Sequence, residues 1–204
     1  MCDRPFTIEN RSEILDITAF NYGDENVAEK VRDPQRTPMQ WTADENAGFT
    51  LPSTKPYLPL SSNYINVNVE KQLCDERSHL KLYRQLVKLR EQPPFYGGNY
   101  KVVLVNKDIF SFIRFINEQY PVYLIILNVN GSEKKSVYTC NFGKELKIKD
   151  GKVEVVVRSN NIQSDSPLAT EGNLLDISSI PLGSSEAVVV KLVQCDNLSH
   201  CFKF

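Results

Sequence analysis

Apolar residues recur with a helical period in one stretch of the chain. Between Ser78 and Glu91, Leu82, Leu86 and Leu89 join Leu80, Tyr83 and Val87 in a wide stripe, while Lys81, Arg84, Gln85, Lys88 and Arg90 are polar. That pattern predicts an amphipathic helix. Ser78 or Asp75 stands where a cap belongs, Lys88 and Arg90 suit the negative end of the helix dipole, and Pro93-Pro94 stop its continuation. After the turn-rich run 92–99 the period changes to that of strands. Tyr100 to Val105, Ile109 to Ile116, Val122 to Asn128, Lys135 to Cys140, Val153 to Arg158 and Ala187 to Val193 are short β-branched or aromatic runs separated by turn residues. Asn106-Lys107-Asp108 reads as a tight hairpin turn between the first two. Short strands without intervening helices predict an antiparallel sandwich or Greek key, with a domain border near residue 95.

From residue 1 to about 75 neither period persists, and Pro5, Pro34, Pro38, Pro52, Pro56 and Pro59 are scattered through the segment. A loop of this length must be supported by something it lies against, because unpaired backbone cannot be left buried. A larger body is therefore expected beneath it.

Composition narrows the function classes. The 204 residues carry 24 Lys+Arg against 25 Asp+Glu, a formal charge of −1, so no global basic field exists to hold a phosphate backbone or an anionic membrane. The longest apolar runs, Val102 to Val105 and Val122 to Leu127, fall far short of the roughly 20 residues of a membrane helix. Nucleic acid and a membrane span are both excluded as expectations. The first ten residues carry early charge and no apolar stretch, unlike a secretory signal. Yet Asn10, Asn130 and Asn197 each begin a glycosylation triplet, more than the roughly one expected by chance, which favours a secreted protein. An absent signal beside secreted-type chemistry points to an incomplete chain. Cys2, Cys74, Cys140, Cys195 and Cys201 form an odd set in which Cys195 and Cys201 are spaced to close a small loop. No Cys/His cluster suggests zinc, and no cofactor is expected.

The densest chemistry is Arg32-Asp33-Pro34-Gln35-Arg36-Thr37-Pro38-Met39-Gln40-Trp41, followed by Asn46-Ala47-Gly48-Phe49 and Tyr57-Leu58-Pro59-Leu60. Two prolines fix the backbone while two guanidinium groups, an amide and the only tryptophan are presented close together. Arginine forks and a Gln amide suit vicinal hydroxyls or a paired carboxylate, and an indole face suits a pyranose. The structural reading of the same residues is an Arg32–Asp33 ion pair with Trp41 plugging a core. His79 and His200 have no neighbouring Ser or Cys constellation.

The strings RDPQRTPMQW, NAGF, YLPL where Trp-Leu-Pro is usual, NYINVNV and SHLKLYRQLVKLR together resemble the C-terminal part of an α-glucosidase (maltase). These enzymes form the oligosaccharide-hydrolysing branch of the α-amylase superfamily of glycoside hydrolases, and insect maltases are the most similar. The resemblance is specific over about residues 28 to 93 and thins to YLIILNVNGSEK in the β region. It implies a partial (β/α)8 barrel, residues 1–94, consisting of the long last βα loop and the final helix, followed by an all-β antiparallel C-terminal domain, residues 95–204. Met1 then resembles the methionine after the last barrel strand, and all eight strands lie upstream of this sequence.

On this resemblance the polypeptide hydrolyses terminal α-glucosidic bonds of maltose or short α-glucosides with retention. Such chemistry needs two carboxyl groups about 5 to 5.5 Å apart, and the family's nucleophile, acid/base and stabilising acid all lie on earlier strands. This chain therefore holds no catalytic residue. Tyr22-Gly23-Asp24-Glu25 mimics a motif found after the family's last strand but stands too close to Arg32, and Asp24 and Glu25 read as solvated charges. What carries over is positioning. Arg36 matches the arginine that pairs with a barrel carboxylate and holds the terminal glucose, Arg32 is a second sugar-facing candidate, and Asp33, Gln40 and Trp41 support the loop. Any calcium site of the family would lie upstream, and the partner of this chain is the upstream barrel of its own polypeptide. The alternatives are a catalytically inactive maltase-like binding protein, or a relative of the amino-acid transporter heavy chains, which share the architecture. In isolation the loop and the stripe of Leu82, Leu86 and Leu89 are expected to expose an apolar patch and to fray.

Overall fold

The computed structural model describes residue 12 and residues 14–131 and 137–196. The chain divides into two compact units between Leu80 and Lys81. Asn10, Asn197, Cys2, Cys201, His200 and the first residues of the run beginning at Lys135 lie outside the described residues.

Proline and turn chemistry dictate the first unit. It is built mainly of 3₁₀ turns, Ile17–Tyr22, Asp24–Asn26, Asp33–Arg36, Glu45–Gly48 and Ser62–Ile65, with two short helices, α1 (Val27–Lys30) and α2 (Val69–Cys74). Ile14, Ala19, Val27 and Val31 make one small apolar cluster. Polar side chains fasten the rest. The buried Asn68 accepts the Lys71 amide at 2.8 Å, capping α2, and donates to the Tyr64 carbonyl at 2.9 Å. At the other end of α2 the Gln72 side chain accepts the Leu80 amide at 3.0 Å, while the Ser78 hydroxyl donates to the Gln72 carbonyl at 2.6 Å.

The division falls within the first turn of α3 (His79–Leu89), the helix that the apolar stripe predicts. In the second unit Leu82 and Leu89 are half-buried and pack with Phe95, Ile125 and Val156 against Tyr123, Val157 and Val189. The stripe is wider than the face it covers, since Tyr83, Leu86 and Val87 are exposed. After α3 the chain makes one further helical turn, α4 (Pro93–Tyr96), with its two prolines at the start, where a missing amide costs nothing.

Eight strands follow among the described residues: β1 (Asn99–Val105), β2 (Ile109–Phe115), β3 (Tyr123–Asn128), β4 (Tyr138–Cys140), β5 (Gly151–Arg158), β6 (Leu174–Asp176), β7 (Ile180–Leu182) and β8 (Ala187–Cys195), with α5 (Phe142–Leu146) after β4. Six form one sheet in the order β1-β2-β3-β8-β5-β6, and β4 pairs with β7. Every pairing is antiparallel. Alternation in β2 and β5 sends Ile113, Phe115, Val153 and Val155 into a core shared with Phe142, Leu168, Ile180 and Leu182. This is the antiparallel β domain that the run spacing predicts, made of one large and one small sheet.

Local chemistry fixes the irregular points. The Asn106 side chain accepts the amides of Asp108 and Ile109 at 2.9 and 2.7 Å, forming the tight turn between β1 and β2. Register slips in β1 between Val102 and Leu104, and there the buried Ser111 hydroxyl accepts the Leu104 amide at 3.0 Å. Between α4 and β1, Gly98 lies so close to the carbonyls of Pro94 and Phe115 that a Cβ would sit 2.4 and 2.6 Å from them. The Arg114 guanidinium gathers the same corner, donating to the carbonyls of Pro94, Phe95 and Gly98 at 3.0, 2.6 and 3.2 Å.

Candidate functional site

Asp33-Pro34 opens a single 3₁₀ turn that ends at Arg36, so the two arginines of the string leave the backbone about one turn apart. Their surroundings differ completely. Arg32 donates through Nε and Nη2 to the two oxygens of Asp16 at 2.7 and 2.6 Å, and its backbone amide donates to Asp16 Oδ2 at 3.1 Å. Thr18 closes the group, its hydroxyl donating to Asp16 Oδ1 at 2.5 Å. The hydrogen bonds from Arg32, then that from Thr18, hold the buried Asp16 carboxyl well below the usual carboxylate range. Contact with Asp16 raises the Arg32 guanidinium in turn. Arg32 is thus bound to Asp16 and not to its neighbour Asp33.

Asp33 is buried and accepts the amides of Leu15 and Asp16 at 2.8 and 3.2 Å. Two carboxylates therefore tie residues 15 and 16 to the start of the string. Arg36 is exposed and has no hydrogen-bond or ion-pair partner among the described residues. Its five donors meet no acceptor among the described residues.

Beyond the two prolines the backbone is again fixed. Gln40 is buried and its Nε2 donates to the Val67 carbonyl and to Asn63 Oδ1, the latter at 3.3 Å. Its carbonyl accepts the Val69 amide at 3.0 Å, and that of Trp41 accepts the Glu70 amide at 2.9 Å. Trp41 is half exposed, at 48%, so its indole does not plug a core as the structural reading had it. The amides of Trp41 and Thr42 both donate to the Ala47 carbonyl. Asn46, Ala47 and Gly48 are consecutive left-handed residues with φ of 56°, 54° and 64°, a costly conformation for the first two. Asn46 offsets part of that cost by donating to the carbonyls of Leu51 and Thr54 at 3.0 and 3.1 Å. The loop so shaped exposes Phe49, Leu51 and Tyr57.

Asp24 and Glu25 are exposed in a turn after Gly23, whose φ is +83°, and His79 is exposed at the start of α3. Among the described residues no group of three or more His, Cys, Asp and Glu could hold a metal ion, and no helix is long and apolar enough to cross a membrane. Sequence reasoning missed Asp16, the acid that fixes Arg32. Nothing in the string Ile14-Leu15-Asp16 announces it, because its partner lies sixteen residues away.

Residues 10–96 match the family model of the alpha-amylase catalytic domain. Over 122 residues the chain is 32% identical to Maltase A1 of Drosophila melanogaster, covering 60% of this chain and 21% of the fly protein. The matched stretch is thus similar to α-glucosidases of the α-amylase superfamily. Over 131 residues it is 33% identical to Maltase 1 of Drosophila virilis, covering 64% of this chain and 20% of that protein. The trehalulose synthase MutB from Pseudomonas mesoacidophila MX-45 superposes with a TM-score of 0.70 at 25% identity, over 95% of this chain and 34% of that one. This maltase-related chain thus spans about a fifth of the length of these maltases and a third of that structure.

Proposed function

We propose that this chain is the C-terminal part of an α-glucosidase of the maltase kind, which hydrolyses terminal α-glucosidic bonds with retention. The observation that carries the reading is Arg36, exposed and without a hydrogen-bond or ion-pair partner among the described residues, at the end of the 3₁₀ turn of a string that resembles that of maltases. Residues 1–94 supply the last loop and last helix of a (β/α)8 barrel, and residues 95–204 its β domain. Arg36 pairs with a barrel carboxylate and positions the non-reducing glucose. Arg32 and Asp33 brace that loop through residues 15 and 16, and Gln40 and Trp41 shape its far side. The two carboxyl groups of the retaining reaction, about 5 to 5.5 Å apart, come from strand ends upstream. The intact enzyme is secreted, as the name of the related salivary alpha-glucosidase of Aedes aegypti suggests, with glycans on Asn10, Asn130 and Asn197.

Glucose release from maltose tests the reading on two polypeptides, the 204-residue chain and a longer one that adds the upstream strands. The chain alone is expected to be inactive and the longer polypeptide active. Turnover by the chain alone would place the catalytic carboxylates within it. A longer polypeptide that folds and binds maltose without turnover would make this an inactive relative.

A further inference from the structure

The second unit contains a cleft of about 410 Å³ walled by the β1–β2 turn on one side and by β4 and the start of α5 on the other. Its apolar lining is supplied by Leu104, Ile109 and Cys140. Burial pushes the Cys140 thiol up, so that residue presents a neutral surface. Tyr138 adds an aromatic ring with a polar tip.

Four charged side chains line the same cleft, Lys107 and Asp108 from the turn, Lys144 and Glu145 from α5. None has a hydrogen-bond or ion-pair partner among the described residues. Opposite charges that share a cleft without pairing leave their donors and acceptors open to a ligand. Each wall contributes one cation and one anion, so the cleft has no charged end. That arrangement suits a neutral molecule that both donates and accepts around its rim and has an apolar face.

We propose that this cleft, built wholly within the second unit, is a carbohydrate-binding site which takes one neutral pyranose unit. Its volume lies at the small end of ligand pockets, enough for one sugar ring. Binding is weak, with Kd on the order of 1 mM, because the site is open and its side chains must be ordered on contact.

Titration of the ¹⁵N-labelled full chain with maltose, followed by NMR, tests this. Saturable shifts confined to residues 104–109 and 138–145 are expected. The variant D108A/K144A is expected to weaken binding about tenfold, with an unchanged melting temperature because neither side chain has a partner to lose. Absent or scattered shifts overturn the proposal, as does a folded double variant that binds as the parent does. Equal shifts with glycine would mean a site for zwitterions and overturn it as well. If the double variant does not fold, K144Q reads the same tenfold change. Because the readout is binding and not hydrolysis, the result is independent of whether the longer polypeptide is an active glucosidase.

Discussion

Arg32 and Asp16 are joined by two parallel bonds, Nε to Oδ2 at 2.7 Å and Nη2 to Oδ1 at 2.6 Å. This fork sets the start of the RDPQRTPMQW string, and its dependence on acid has a definite sign. The folded state holds the Asp16 carboxyl below its ordinary value of 3.8, so the contribution is fully present above that value and is lost as pH falls through the folded one. Thermal unfolding followed by fluorescence of Trp41, the only tryptophan, should be steady from neutral pH to about 4 and decline below it. Asp16→Asn should be less stable at neutral pH and show a flatter acid limb. Parallel pH curves for the two proteins would mean that the fork contributes nothing.

Arg36 and Arg32 should respond oppositely to truncation. In a longer polypeptide carrying the upstream strands, Arg36→Ala is expected to lower kcat/KM for maltose on the order of 100-fold, the cost of a charged hydrogen-bonded contact. Its melting temperature should fall less than that of Arg32→Ala, because Arg36 is exposed and has no partner among the described residues. Arg32→Ala should reduce the melting temperature first, since it leaves a buried carboxylate exposed to no cation. Steady-state kinetics with differential scanning fluorimetry on both variants decides between these patterns.

The corner between α4 and β1 has no room for a side chain. Gly98→Ala places a Cβ against two backbone carbonyls that cannot swing aside, and a loss of about 3 kcal/mol is expected. Arg114→Met removes the donors to three carbonyls at the same corner and should cost about 2 kcal/mol. Urea denaturation monitored by circular dichroism measures both. A Gly98→Ala protein as stable as its parent would show that the close approach does not exist in solution.

Protection from hydrogen exchange should differ sharply between the units. Among the described residues the first has one small apolar cluster of Ile14, Ala19, Val27 and Val31, whereas the core of the second runs through five long strands. Amides of residues 40–70 are expected to exchange well before those of β3 and β8. Equal protection in a monodisperse monomer would contradict this.

Legibility in the sequence followed the range of the interaction. The helix 79–89 and the long strands were readable because their apolar periods are local, and the Asn106 turn because its side chain folds back on its own backbone. β6 and β7 escaped notice, being three residues each, with Pro181 inside the second. α2 and α5 are short and rest on caps by Asn68 and Asn141 that no apolar stripe marks. In the first unit almost everything depends on through-space polar pairs such as Arg32 with Asp16, and a linear pattern carries no sign of those. Arg36 stood out only through the family resemblance of its string.

The sheet order gives β8 a significance beyond packing. Ala187–Cys195 lies between β3 and β5 and pairs with both, so the earlier strands form two separate ladders until that segment arrives. During synthesis β8 must therefore leave the ribosome before the six-stranded sheet can close, and until then each half exposes an unpaired edge. The assembly of this sheet is therefore timed by β8, the segment that joins its two halves.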